Sequence, residues 1–161
     1  MIVVSNTSPL TNLAAIGLFD LPHRLYGDLH IAHGVWDELN ASGKRWPGCD
    51  EVSKADWIEQ HIVQNQALVA ALQRDLDRGE AETALELGAD LVLLDEKEGR
   101  HAAQRLGLRV LGVVGILLDA KANGAIGTLR PHLDTLRQTA GFYLSTSLYQ
   151  HALALAKEDD E

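Results

Sequence analysis

Residues 3–10 read VVSNTSPL. The apolar residues Ile2, Val3 and Val4 run directly into four small polar ones and a proline. An unbroken apolar run this short fits a strand buried on both faces. Ser8 and Pro9, followed by LTNLAAIG, then supply a cap, a first-turn proline and a closing glycine, so a helix is expected at once. In an α/β protein such a turn is where chemistry gathers, beyond the carboxyl ends of the strands. The residue at the turn is Asn6, an amide where a metal site would favour a carboxylate.

The same strand-then-helix rhythm continues along the chain. DLHIA (28–32), LVLL (91–94) and LRVLG (108–112) read as further strands, and WIEQHIV (57–63) as an edge strand or bridging segment. Between them HGVWDELNA, NQALVAALQRDLDRG, GEAETALELGAD, EKEGRHAAQRLG and GVVGILLDAKANG carry helical patterns. TLRPHLDTLRQTAG and SLYQHALALAKE add two more helices, with FYLS between them a short strand or a connector. Alternation of this kind predicts a Rossmann-like α/β/α fold, a central parallel sheet of four to five strands with helices on both faces. No repeat or low-complexity linker interrupts it. One domain is expected over residues 1–156, with 157–161 (KEDDE) a solvated, frayed acidic tail.

Bulk properties narrow the function. The 161 residues suit one core, and 46% hydrophobic with 23% charged residues is an ordinary globular mix. One cysteine, Cys49, rules out an internal disulfide and is compatible with a reducing cytoplasm. No basic-then-apolar leader opens the chain and no apolar run reaches bilayer length, so neither a secretory signal nor a membrane partner is expected. The net charge of −9 argues against a protein that coats nucleic acid by phosphate neutralisation. It leaves open an enzyme whose acidic pocket holds a cation, because the ion then supplies the local positive charge.

Four segments place acids or their amides at strand ends or helix starts. Asn6 follows the first strand, Asp95 and Glu96 follow LVLL, Glu38 sits about one turn into the segment after DLHIA, and Glu80 and Glu82 open GEAETALEL. Gathered carboxylates repel unless they share a cation, and hard oxygen ligands favour Mg²⁺ or Mn²⁺. Such ions serve phosphoryl chemistry by polarising the phosphate and activating water. Each acid also has a structural explanation. Acids in a first turn are favoured by the helix dipole, and Asp95 could simply cap a helix.

Taken in order, VVSNTSPL, VWDEL, LDRGEAE, LVLLDE and GRHAAQRLGLRVLGVVGILLDAK, closing on SLYQHALALA, resemble the PIN-domain family. The likeness is to a prokaryotic subgroup of predicted nucleic-acid binders related to the ribonuclease toxins of toxin–antitoxin pairs, and it spans nearly the whole chain. The resemblance implies a Mg²⁺- or Mn²⁺-dependent site that cleaves RNA, a cognate antitoxin protein as partner, and a homodimer. It assigns catalytic and metal-holding positions to Asn6, Glu38, Glu80 (with Glu82 its rival) and Asp95. Ser5, Thr7 and Ser8 match the small hydroxyl residues that flank the first acid. The family ends its first strand in an aspartate, whereas this chain has Asn6, whose carbonyl can ligate a cation but brings no charge. GEAETALELGAD also looks about one helical turn shorter than the family pattern.

Two further functions compete with a metal-dependent ribonuclease. A catalytically impaired PIN-like module that binds nucleic acid or protein would fit Asn6. A phosphoacceptor receiver domain would want an acid pair after the first strand and a lysine after the last. Here Ser5-Asn6 stands at the first place, and no lysine follows LRVLG before Lys121. Lys97, Arg100, His101 and Arg105 could touch an RNA backbone, or simply form an exposed face with i, i+4 pairs. Arg24, Lys44, Arg45 and Lys54 form a second loose basic region, with Trp46 a candidate base-stacking residue or a shield from solvent. The seven histidines show no zinc spacing and no GK[ST] phosphate loop is present. The leucines at 129, 133, 136, 148, 153 and 155 should be mostly core, with some available for a homodimer face.

Overall fold

The structure is a computed structural model, and residues 2–32, 54–61, 90–95, 100–101, 104 and 107–158 are described. Five strands, β1 (Val3–Ser5), β2 (Leu29–Ala32), β3 (Ile58–His61), β4 (Leu91–Leu93) and β5 (Val110–Leu111), form one sheet in the order β3-β2-β1-β4-β5. Every neighbouring pair is parallel. The helices are α1 (Thr7–Ala15), α2 (Leu21–Tyr26), α3 (Val113–Ala122), α4 (Arg130–Gln138) and α5 (Thr146–Leu155), and residues 100, 101 and 104 are also helical. The expected α/β architecture with its parallel sheet is therefore present, and WIEQHIV supplies the edge strand β3.

The two-residue period of a strand divides the sheet into faces. Val3, Leu91 and Leu93 point to one side, where they pack with Leu10 and Leu13 of α1, Leu21 of α2 and the apolar faces of α3, α4 and α5. Val4, Val92 and Leu94 point to the other side, beside Leu108 and Val110. Fully burying each leucine of this kind is worth roughly 1.5–3 kcal/mol, which is why the fold needs no disulfide. The chain start is pinned across the sheet: Asp90 accepts from the Ile2 N–H at 2.7 Å, and the Asp90 N–H returns to the Ile2 carbonyl at 2.7 Å.

Some local expectations change. Ser8 does not cap α1 but lies inside it, because the helix already begins at Thr7. Pro9 is still tolerated there, since the first-turn N–H groups have no intrahelical acceptor to lose. LRVLG pairs only over Val110–Leu111. FYLS is a connector, and its last residue, Ser145, caps α5 by accepting from the Leu148 N–H at 3.0 Å. LPHRLY forms α2, a helix too short for helical periodicity to reveal it.

The acidic end is also not frayed at Glu158. Its carboxylate accepts from Lys121 Nζ at 2.6 Å and from the backbone N–H groups of Leu129 and Arg130 at 2.7 and 3.3 Å, while Arg130 Nη2 donates to the Glu158 carbonyl at 3.0 Å. Glu158 thereby satisfies donors at the start of α4 and ties that helix to α3. Residues 159–161 lie outside the described part.

Candidate functional site at the switch between β1 and β4

Strand order reverses between β1 and β4: the chain grows from β1 toward β2 and β3 on one side and toward β5 on the other. The crevice expected of an open parallel sheet therefore lies beyond the carboxyl ends of β1 and β4. Asn6 and Asp95 sit there. Ser5 pairs with Leu93, and the Asn6 N–H donates to the Leu93 carbonyl at 2.9 Å, which carries the ladder one residue past β1. Asn6 is buried, only 6% exposed. The two positions that the sequence pattern placed at separate strand ends thus follow adjacent strands.

Asp95 is held from two directions. Its Oδ1 accepts the backbone N–H of Val113, the first residue of α3, at 2.6 Å. Its Oδ2 accepts from Ser8 Oγ at 3.2 Å and from Asn12 Nδ2 at 3.3 Å, both on α1. Asn12 Nδ2 also donates to Ser8 Oγ at 3.3 Å. Asp95 does cap a helix, then, and that helix is α3, which follows β5. Burial pushes its carboxyl above the ordinary aspartate range; the Val113, Asn12 and Ser8 donors and the Arg100 charge oppose that shift without cancelling it.

The remaining candidates separate clearly. Ser5 is buried and its hydroxyl donates to the Asn6 carbonyl at 2.9 Å, so that hydroxyl serves the backbone of the turn. Thr7 is helical, and its side chain lies outside the described part. Arg100 and His101 are exposed on the helix after β4, and Arg100 is close enough for its charge to act on Asp95. Glu38, Glu80, Glu82 and Glu96 lie outside the described residues, as do Lys97, Arg105, Lys44, Arg45 and Trp46. Arg24 donates to the Ala125 carbonyl at 3.3 Å.

Asn12 has no place among the sequence candidates. Its signal was available in the helical spacing: Ser8 and Asn12 are four residues apart and so share one face of α1. A polar pair on the strand-end face of a helix that otherwise buries Leu10 and Leu13 marks a face turned toward something polar.

Among the described residues no group of three or more His, Cys, Asp or Glu side chains gathers in metal-binding proximity. Asp95 and the Asn6 carbonyl are nevertheless donors of the hard-oxygen type that suit Mg²⁺ or Mn²⁺. No described helix is long and apolar enough to cross a membrane.

A family model described as a PIN domain matches residues 2–158. No curated protein and no solved structure matches the chain.

Proposed function

The chain belongs to the PIN-domain family, and on that premise we propose that it is a Mg²⁺- or Mn²⁺-dependent endoribonuclease, the toxin of a toxin–antitoxin pair. PIN domains are commonly nucleases and generally use divalent metals. The observation that supports the reading for this chain is that Asn6 and Asp95 follow the carboxyl ends of the paired strands β1 and β4, at the switch in strand order. Asp95 is a partly buried carboxylate with fixed orientation, in the crevice where α/β sheets do their chemistry.

A divalent cation bound there supplies Lewis acidity toward the phosphate and lowers the pKa of water. Asp95 would hold it with Glu38 and Glu80, and Asn6 would add a neutral amide oxygen or orient the attacking water. The water oxygen forms a new bond to phosphorus in line with the leaving group. The bond from phosphorus to the 3′ oxygen breaks, that oxygen takes up a proton, and the products are a 3′-hydroxyl and a 5′-phosphate. Arg100, exposed and close enough for its charge to act on Asp95, would meet the RNA backbone. The cytoplasm, a protein antitoxin and a homodimer complete the reading. The exposed Leu148 and Leu155, seven residues apart on one face of α5, are apolar positions available for a second copy.

Asn6 favours a second reading, a PIN-like module that binds nucleic acid or protein without cutting. A neutral residue replaces a charge at the centre of the site, and affinity for a hard cation falls with ligand charge. Incubation of RNA with Mn²⁺ and the purified protein, beside folded Asp95→Ala, separates the two. Cleavage by the wild type alone supports the nuclease. Equal inertness of two folded proteins supports the binding module.

A further inference from the structure

Among the described residues three donors converge on Asp95, and they are not equivalent. The Val113 N–H is part of the α3 backbone and exists whatever the side chains are. Ser8 has a single hydroxyl proton, free to rotate toward any acceptor. Asn12 donates from one nitrogen to two acceptors, Asp95 Oδ2 and Ser8 Oγ, each at 3.3 Å. The amide orientation follows from chemistry, because a flipped Asn12 would turn its carbonyl oxygen on the carboxylate. By donating into Ser8 Oγ, Asn12 also leaves the Ser8 proton directed at Asp95 Oδ2, 3.2 Å away. The result is a closed triangle in which Asn12 is the only pure donor.

A carboxylate offers about four lone-pair positions. Oδ2 takes the Ser8 and Asn12 donors and Oδ1 takes Val113. The donors of the described residues leave one position, on Oδ1. A carboxylate held in this way cannot rotate to present Oδ2 without breaking two hydrogen bonds.

We propose that Asn12 is a positioning residue that fixes the orientation in which Asp95 meets a divalent cation. The inference rests on the reading of Asp95 as a metal-holding carboxylate. Asn12 does not touch substrate or ion; it acts through Asp95 and Ser8. Groups that orient a metal ligand from behind typically change metal affinity 10–100-fold when removed.

The test is a double-variant cycle read by Mn²⁺ binding, with free Mn²⁺ followed by electron paramagnetic resonance. Wild type, Asn12→Ala, Asp95→Asn and the double variant are titrated with Mn²⁺ alone, and their melting temperatures recorded. Alanine is the better helix former, so α1 is retained; Asn12→Leu, closer in volume, serves if the alanine variant unfolds. The expected result is Mn²⁺ binding weakened about ten-fold or more by Asn12→Ala, with no additional loss when Asp95 is already Asn. Bound Mn²⁺ should also broaden the Asn12 side-chain amide resonances of the wild type and leave them sharp in Asp95→Asn. Unchanged Mn²⁺ affinity in a folded Asn12 variant, while Asp95→Asn binds weakly, overturns the positioning role and leaves the metal site standing. Losses that simply add in the double variant overturn it too. A wild type that binds no Mn²⁺ overturns the metal reading itself, and this inference with it.

Discussion

A Cβ on Gly112 would lie 2.7 Å from Asp95 Oδ1, closer than real Cβ contacts come. Gly112 is the residue just before α3, and the missing side chain lets the Asp95 carboxylate reach the Val113 N–H. The glycine is used here for close approach, since its backbone is extended and needs no positive φ. A carboxylate and a helix start from different parts of the chain are joined through that space.

Gly112→Ala therefore turns Asp95 away from α3. The helix loses its cap, at a cost of roughly 0.5–2 kcal/mol, and the carboxylate loses its fixed orientation. Chemical denaturation should show that decrease, and a Mn²⁺ titration should show weaker binding. A variant with wild-type stability and wild-type Mn²⁺ affinity would contradict the role given to this contact.

Glu158 should set part of the acid limb of stability. Burial raises its carboxyl, but the Lys121 ammonium and the Leu129 and Arg130 amides together outweigh that and leave it below the ordinary glutamate value. The folded state thus holds the proton less tightly than the unfolded chain. Its stabilisation is complete above the ordinary value of about 4.3 and is lost as pH falls from there through the folded value. Glu158→Gln should cost about 1.5–3 kcal/mol near neutrality, the range for hydrogen bonds to a charged group. Urea midpoints taken from neutral pH downward should converge for wild type and variant at low pH. Parallel curves would show that the carboxylate charge is not what matters.

Asn6→Asp tests the residue at the β1 turn. Without metal, the added charge is buried beside Asp95 and should destabilise the protein by on the order of 1–3 kcal/mol. With Mn²⁺ the sign reverses: an added carboxylate should tighten binding on the order of ten-fold, and the melting temperature should rise more steeply with Mn²⁺ than that of the wild type. An identical Mn²⁺ dependence in both proteins would remove Asn6 from the site.

Leu148 is 41% and Leu155 58% exposed, whereas Leu129, Leu133, Leu136 and Leu153 are buried completely. If α5 forms the homodimer face, Leu148→Lys with Leu155→Lys should give a monomer in sedimentation velocity with little change in melting temperature, because neither side chain supports the core. A dimer that survives both changes places the interface elsewhere.

The sequence made the strands and their ends legible because buried parallel strands are unbroken apolar runs. LVLL and VVS carried that signal, and Asp95 and Asn6 followed from it as their terminal residues. The order of the strands was not legible, since it is set by crossovers between distant segments. That Asn6 and Asp95 are neighbours became visible only with β1 paired to β4. The partners of Asp95 were hidden for a similar reason: Ser8 and Asn12 lie more than 80 residues away in the chain, and Val113 contributes a backbone group that residue identity cannot announce. Glu158 reads as one more acid in KEDDE because charge patterning reports composition and says nothing of the donors at the start of α4.

The central claim is that Asp95 belongs to a metal-dependent ribonuclease site. Its most direct test is cleavage of a long RNA by the purified protein in Mn²⁺, with a chelator control, beside Asp95→Ala shown to be folded by circular dichroism. The account predicts cleavage that yields 3′-hydroxyl ends, stops on chelation and falls by at least two orders of magnitude in the variant, of the size seen when a group essential to catalysis is removed. Cleavage that survives chelation, or that the folded Asp95→Ala protein performs as well as the wild type, would contradict it.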